Sequence, residues 1–221
     1  MLERLVLDGD EVLLDAGCGT GRVTAMLLDR LPRGRVIALD ASRQMLEEAA
    51  QNLAGYAGRV EFVEANLADP LPILEPLDGV FSTATFHWVP DHDALFRNLA
   101  AVIRPGGQLV AQCGGAGNLD SVGAALEARG LRWPAWAFDD AESTAAALAD
   151  AGFVDIQTWL NPEPTIFTSH DEMAEYLRTV VLRTYLEAAP EEEQEGLVEG
   201  VLDLLGLELD YVRLNIVAIR G

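Results

Sequence analysis

Short apolar runs alternate with segments of helical period through the first half of this 221-residue chain, and that alternation restricts the fold more than any other feature. Strands separated by helix-length stretches cannot close as hairpins. They need crossover connections, which build a mainly parallel sheet with helices on both faces, the crossovers being right-handed. Glu11–Asp15 is an apolar run ending in a glycine cluster and reads as a buried strand. Thr20–Leu31 follows with Val23, Met26, Leu27 and Leu31 on one helical face, stopped by Pro32 and Gly34. Arg35–Asp40 is a second strand, and Ser42 caps a helix running to Leu53. Val60–Ala65 and Leu77–Thr83 read as the third and fourth strands. Asp91 and Asp93 are placed to cap a helix over Ala94–Ile103, and the Arg104–Gly107 turn leads into a fifth strand, Gln108–Cys113.

The second half is less regular. Ser143–Ala151 reads as a helix closed by Gly152, Phe153–Leu160 as a sixth strand and Leu209–Arg220 as a long terminal one. Between these strands, His170–Ala188 and Glu191–Leu207 read as two helices. The expectation is one domain over 1–221, with residues 168–208 forming a helical cap over the substrate.

Composition excludes several chemistries. The chain has 36 acidic and 15 basic residues, a formal net charge of −21, and every basic residue is arginine. Without lysine there is no Walker-type phosphate loop and no Schiff base. So acidic a chain does not suit a nucleic-acid backbone or an anionic membrane surface as partner. Two cysteines, Cys18 and Cys113, are too few for a disulfide scaffold, and no signal-like or membrane-spanning run is present, so the expected location is the cytoplasm, as monomer or homodimer.

The sharpest chemical signal is Asp15-Ala16-Gly17-Cys18-Gly19-Thr20-Gly21, a glycine loop between a strand and a helix. Glycines permit positive φ and close approach of a ligand, and a helix start offers amide donors. The spacing is G-x-G-x-G with Arg22 where a dinucleotide fingerprint wants glycine or alanine, which disfavours a pyrophosphate. Asp40, at the end of the second strand, is placed to take both hydroxyls of a ribose. Its alternative is a helix N-terminal carboxylate beside Ser42.

These motifs, with Ala65-Asn66-Leu67 closing the third strand, resemble those of class I S-adenosylmethionine-dependent methyltransferases. Thr85-Phe86-His87-Trp88-Val89-Pro90-Asp91-His92 resembles the fourth-strand motif of the branch that holds the type 11 methyltransferases and trans-aconitate 2-methyltransferase. Arg104-Pro105-Gly106-Gly107 resembles that family's turn before strand five. The resemblance implies a Rossmann-like seven-stranded sheet of order 3-2-1-4-5-7-6, its last strand antiparallel, with a helical insertion between strands 6 and 7. It implies S-adenosyl-L-methionine as cofactor, S-adenosyl-L-homocysteine as product, and a small-molecule acceptor bearing a carboxylate or hydroxyl.

Carried over by position, Gly17, Gly19 and the backbone near Cys18 would face the methionine part of the cofactor, Gly21 would complete the cofactor loop, and Asp15 would orient that loop or meet the amino group. Asp40 would hold the ribose, Ala41 would belong to the same cofactor site, Asn66 and Leu67 would meet the adenine, and Thr83 and Ala84 the methionine part. An aspartate is common where Asn66 stands. Relatives usually carry further helices before the first strand, where ten residues precede Glu11 here.

His87 is the candidate general base, with a pocket-wall role as the alternative, and Trp88 stands beside it. His92, between Asp91 and Asp93, reads as turn and cap and not as a metal ligand, since no compact ligand set accompanies it. Arg178 and Arg183, with Tyr176 and Tyr185, could grip a substrate carboxylate or simply lie on a solvated helix face. Trp133, Trp136, Phe138, Trp159 and Phe167 offer aromatic surface or core. Two rival readings are a non-catalytic S-adenosylmethionine-binding module and a nicotinamide-dependent oxidoreductase. The short-chain form of the latter needs a Tyr-x-x-x-Lys pair that this chain cannot supply.

Overall fold

The computed structural model describes residues 1–132 and 136–221. In chain order the elements are β1 (Val12–Ala16), α1 (Arg22–Arg30), β2 (Arg35–Asp40), α2 (Arg43–Asn52), β3 (Val60–Glu64), β4 (Leu77–Thr83), α3 (His92–Val102), β5 (Ile103–Gly114), α4 (Asp120–Ala128), α5 (Ala141–Asp150), β6 (Phe153–Pro162), β7 (Thr165–Ile166), α6 (His170–Tyr176), α7 (Arg183–Ala188), α8 (Glu191–Leu202), β8 (Glu208–Leu209) and β9 (Val212–Arg220). The chain divides into two compact units. One comprises Met1–Ala116, Trp136–Asn161 and Arg213–Gly221, the other Gly117–Ala135 and Pro162–Val212.

The first unit is built on a seven-stranded sheet of order β3-β2-β1-β4-β5-β9-β6. The β3–β2, β2–β1, β1–β4 and β4–β5 pairs are parallel, and β5–β9 is antiparallel. This is the expected order, with the terminal strand numbered ninth because a short ribbon precedes it. Side chains alternate across the sheet with period two. Leu13, Val36, Phe81 and Val110 pack on one face against Leu27, Leu28 and Leu31 from α1 and its end and Ala49 of α2. Leu14, Ile37, Val80 and Leu109 pack on the other against Leu95, Phe96 and Leu99 of α3 and Leu148 of α5. Each fully buried Leu or Phe of this kind contributes about 1.5–3 kcal/mol. The expected caps are present: Ser42 Oγ accepts the Met45 N–H, and Asp91 Oδ1 accepts the Ala94 N–H at 2.8 Å.

The second unit departs from the sequence expectation in three places. The helix expected over His170–Ala188 is broken into α6, a π-helical turn at Leu177–Val181, and α7. The run Thr179-Val180-Val181 is β-branched, and Thr179 Oγ1 donates to the Glu175 carbonyl at 2.8 Å, both of which disturb regular helix. The helix expected to reach Leu207 ends at Leu202, because Glu208–Leu209 pairs antiparallel with Thr165–Ile166 and the Leu207 carbonyl accepts the Phe167 N–H. That ribbon also takes Leu209 out of the terminal strand, which starts at Val212. Helix α4 was not anticipated. Its left-handed N-cap residue, Leu119 (φ 59°), carries no helix-starting signature, and Asp210 Oδ2 takes the Ser121 N–H instead.

Candidate active site

In a parallel sheet the carboxyl ends of the strands form one edge, where strand-to-helix turns converge. At the β1 end, Gly17, Gly19 and Gly21 all have positive φ (81°, 53° and 85°). The three glycines have different reasons to be glycine. A Cβ on Gly17 would lie 2.2 Å from the Thr85 side chain, so the position is reserved for Thr85 to close on the loop. A Cβ on Gly21 would lie 2.8 Å from Leu53 and 3.3 Å from Ala49, so Gly21 serves the packing of α1 on α2. A Cβ on Gly19 would meet nothing within 4 Å, so open space adjoins the loop there.

The loop amides face inward. The Gly17 and Cys18 N–H groups donate to the Leu39 carbonyl at 2.8 and 2.9 Å, and the Gly21 N–H donates to the Cys18 carbonyl at 3.0 Å. The Gly19 N–H donates to Asp40 Oδ2 at 2.9 Å, and the Ser42 N–H donates to Asp40 Oδ1 at 2.8 Å. Asp40 therefore clamps the glycine loop to the start of α2 while each oxygen keeps a further lone pair. Both the ribose and the helix-start expectations placed a carboxylate here, and the helix-start bond is made.

Asp15 is buried and accepts the Thr24 hydroxyl at 2.6 Å, tying the end of β1 to α1. Burial pushes its carboxyl up to about 6, with the Thr24 bond opposing and the Asp40 charge adding to the rise. The Cys18 thiol is pushed above its ordinary range by burial and then by Asp15 and Asp40, so it stays protonated and contributes its backbone only.

Along the same edge, Asn66 Oδ1 accepts the Ala68 N–H at 3.0 Å, closing a turn after β3. The buried Leu67 offers its carbonyl to Asn98. After β4, Ala84 adopts φ 55°, a strained conformation for a residue with a Cβ, and its N–H donates to the Gln112 carbonyl at 2.8 Å. Thr85 Oγ1 then donates to the Thr83 and Gly17 carbonyls at 3.0 and 3.3 Å. Thr85 was not anticipated as a site residue. The signal available was a small hydroxyl residue directly after the fourth strand.

His87 and Trp88 lie in a 3₁₀ turn, Phe86–Trp88. The turn is held from below by buried His92, whose Nε2 lies 3.0 Å from the Phe86 carbonyl and whose Nδ1 lies 2.7 Å from Asp139 Oδ2. His87 Nδ1 accepts the Gly114 N–H at 3.4 Å, which leaves the proton on Nε2. Its ring sits 5.4–6.0 Å from the rings of Trp88, Trp136 and Phe138. Trp88 and Trp136 cross edge to face at 4.9 Å, and Trp88 is half exposed. Burial first, then the positive charge of Arg213 and then His92, bring the His87 pKa down to about 4. At neutral pH the imidazole is uncharged, a weak base and a hydrogen-bond donor.

A family model described as a methyltransferase domain matches residues 13–107. The chain is 33% identical over 203 residues to a trans-aconitate 2-methyltransferase of Azoarcus sp. (strain BH72), covering 87% of this chain and 77% of that protein. This chain belongs to the class I S-adenosylmethionine-dependent methyltransferases, in the trans-aconitate 2-methyltransferase branch. A relative of that name from Acidovorax sp. (strain JS42) is 29% identical over 217 residues, covering 93% of this chain and 81% of the other. In fold the chain is similar to the geranyl diphosphate C-methyltransferase of Streptomyces coelicolor A3(2), with TM-score 0.61 and 20% identity, covering 100% of this chain and 76% of that one. It is also similar to phosphoethanolamine N-methyltransferase 2 of Haemonchus contortus, with TM-score 0.65 and 20% identity, covering 99% and 50%.

The loop fits the cofactor of this methyltransferase better than it fits a dinucleotide. A pyrophosphate needs outward amide donors, and here the amides of Gly17, Cys18, Gly19 and Gly21 are spent inside the protein. S-adenosyl-L-methionine carries positive groups and no phosphate, so an edge of carbonyls and carboxylates beside the open space at Gly19 suits it.

The remaining substrate candidates have partners of their own. Arg178 pairs with Glu175 and Glu195 at 3.2 and 2.7 Å, and Arg183 with Glu187 at 2.7 Å. The Tyr185 hydroxyl donates to the Arg132 carbonyl. Both arginines thus already hold carboxylates within the second unit. Phe167 is buried against Tyr176, and Trp159 lies under the Arg4 guanidinium. Trp133 lies outside the described residues. Among the described residues no helix is long and apolar enough to cross a membrane.

Proposed function

We propose that this methyltransferase esterifies a carboxylate of a small organic acid. The observation that carries the reading is His87. It is the titratable side chain beside the aromatic wall, its Nδ1 is occupied by Gly114, and its pKa lies about 4, so it is unfit to remove a proton from a phenol, alcohol or amine at neutral pH. A carboxylate is already ionised there and needs no base. The names of the Azoarcus and Acidovorax relatives support the same class of acceptor.

When bound, S-adenosyl-L-methionine supplies a methyl group activated by a positively charged sulfur, which leaves as S-adenosyl-L-homocysteine. The residues that would hold it are Asp40 at the ribose hydroxyls, Asn66 and Leu67 at the adenine, and the Gly17–Gly19 segment with Thr83 and Ala84 along the methionine part. Asp15 positions the loop through Thr24 and does not reach outward. Thr85, seated on Gly17, fixes the distance between the β1 and β4 turns. Trp88, Trp136 and Phe138 exclude water around His87, whose Nε2–H can donate to the acceptor. Holding two reactants in register in this way can lower a barrier by up to about 7–11 kcal/mol.

The test is a transfer screen with methyl-labelled cofactor across di- and tricarboxylates, phenols and amines. Label released from an acid by mild alkali, as methanol from an ester, is the expected result. Label only on phenols or amines overturns the reading. Binding of S-adenosylhomocysteine with no transfer to any class makes the chain a non-catalytic module.

A further inference from the structure

The segment 136–140 leads into α5 within the first unit and brings two rings, Trp136 and Phe138, against His87. Its backbone is tied at two points. The Ala137 N–H donates to the His87 carbonyl at 2.9 Å, and the Asp139 carbonyl accepts the Ala116 N–H at 3.0 Å. Asp140 Oδ1 then accepts the Ser143 N–H at 2.8 Å and starts α5. The first two bonds use the main chain only, so they set the path of the segment whatever its residues. The contact that depends on residue type is the one between Asp139 Oδ2 and Nδ1 of His92, at 2.7 Å.

His92 opens α3, which Asp91 caps. Its ring is buried and packs on Phe96 at 5.7 Å. Nε2 lies 3.0 Å from the Phe86 carbonyl, in the 3₁₀ turn that holds His87 and Trp88. One imidazole therefore touches both sides of the aromatic wall: the turn through Nε2 and the segment 136–140 through Nδ1. Among the described residues Nδ1 has no other polar partner. The His92 side chain is 5% exposed and that of Asp139 39%. A buried nitrogen without a partner is costly, whereas a carboxylate that reaches solvent regains water. Burial of His92 thus draws Asp139 onto the turn, and Trp136 and Phe138 come with it. The rings of Trp136 lie 4.9 Å from Trp88 and 5.6 Å from Phe138, so a small lift of the segment parts them and admits water beside His87.

We propose that His92 and Asp139 are positioning residues for methyl transfer: as a bracket they lock the segment that carries Trp136 and Phe138 onto the Phe86–Trp88 turn, and so set turnover without touching the cofactor. This rests on the acceptor lying against that wall, as read above, whatever its chemical class.

The test compares the full chain with Asp139→Ala, Asp139→Asn, His92→Gln and the His92→Gln/Asp139→Ala double variant. Asparagine can accept from Nδ1 or donate to it, so Asp139→Asn keeps the bracket. Glutamine at position 92 still offers an amide N–H to the Phe86 carbonyl and loses Asp139. Affinity for S-adenosylhomocysteine, by calorimetry, should stay within about twofold in all four, which also establishes that each is folded. Acrylamide quenching of tryptophan fluorescence, with Trp136→Phe counterparts to isolate the Trp136 signal, should rise by about twofold or more in Asp139→Ala and His92→Gln and not in Asp139→Asn, as a locally opened segment admits the quencher. Initial rates are read with saturating methyl-labelled cofactor on the acid, phenol or amine of the screen above that the wild type labels. There kcat should fall by about tenfold in Asp139→Ala and His92→Gln, with cofactor KM unchanged, and by less than about threefold in Asp139→Asn. The double variant should be no worse than the worse single one, because both changes break one contact. Quenching unchanged in Asp139→Ala, kcat unchanged in both single variants, or losses that multiply in the double variant would each overturn the bracket. Label on an acid with kcat indifferent to these changes would sink the bracket and leave the ester-forming reading standing. Label on phenols or amines alone, with the losses as expected, would do the reverse. A wild type that transfers to no class would end both.

Discussion

The two halves of the sheet's carboxyl edge are made from different material. The β1–β2 half is backbone: glycine amides, the Leu39 carbonyl and one carboxylate close on each other with little freedom left. The β4–β5–β9 half is side chain: His87, three aromatic rings, Gln112 and Asn215. A backbone site tolerates few substitutions because each changes φ or a packing distance. A side-chain site can be rewritten residue by residue. The first half therefore changes only with the backbone, and the second can change one side chain at a time.

The largest effect expected from probing this contrast is at Gly17. Gly17→Ala imposes a left-handed alanine and a contact 2.2 Å from Thr85. It should cost about 2–4 kcal/mol of stability in urea unfolding. Adding Thr85→Gly should return the packing share and leave the φ share, and a cost below about 0.5 kcal/mol would break the contrast.

Asp15 gives an effect of similar size that appears only with pH. Its folded pKa, about 6, lies above the ordinary 3.8, so the folded state holds the proton more tightly. The stability this gives is full below about pH 4 and is lost as pH rises through about 6. Relative to Asp15→Asn, the wild type should lose about 3 kcal/mol between pH 4 and 8, measured by denaturant unfolding at a series of pH values. A flat difference would mean the carboxylate is not desolvated.

Asp40→Ala removes the clamp on Gly19 and Ser42 together with the proposed ribose partner, so S-adenosylhomocysteine affinity should fall by about tenfold or more in calorimetry. On the other half, His87→Gln should lower kcat by less than about tenfold, where loss of a general base costs about 10²–10⁴. The wild-type kcat should stay level from pH 6 to 9, since His87 titrates near 4; a limb near pH 6.5 would restore it as the base. Arg178→Ala, removing exposed pairs with Glu175 and Glu195, should shift stability by less than about 1 kcal/mol and leave acceptor KM unchanged.

The same division explains what was legible in the sequence. Glycine spacing, the strand-ending Asp40 and the helix caps are local features, and each reads directly as backbone geometry. The sheet order followed from the family resemblance. His87 was visible, but its lowered pKa was not, since burial and its neighbours rather than residue type set it. For Arg178 and Arg183 the sequence left a carboxylate grip and a solvated face open, and the glutamates they pair with, on neighbouring turns and on α8, are visible only in the fold.

The reversed direction of β9 has a practical reading for anyone redesigning this enzyme. Since that strand opens at the carboxyl edge and runs away from it, substitutions at its first residues would alter that edge while the turns after β1 and β2 stay as inherited.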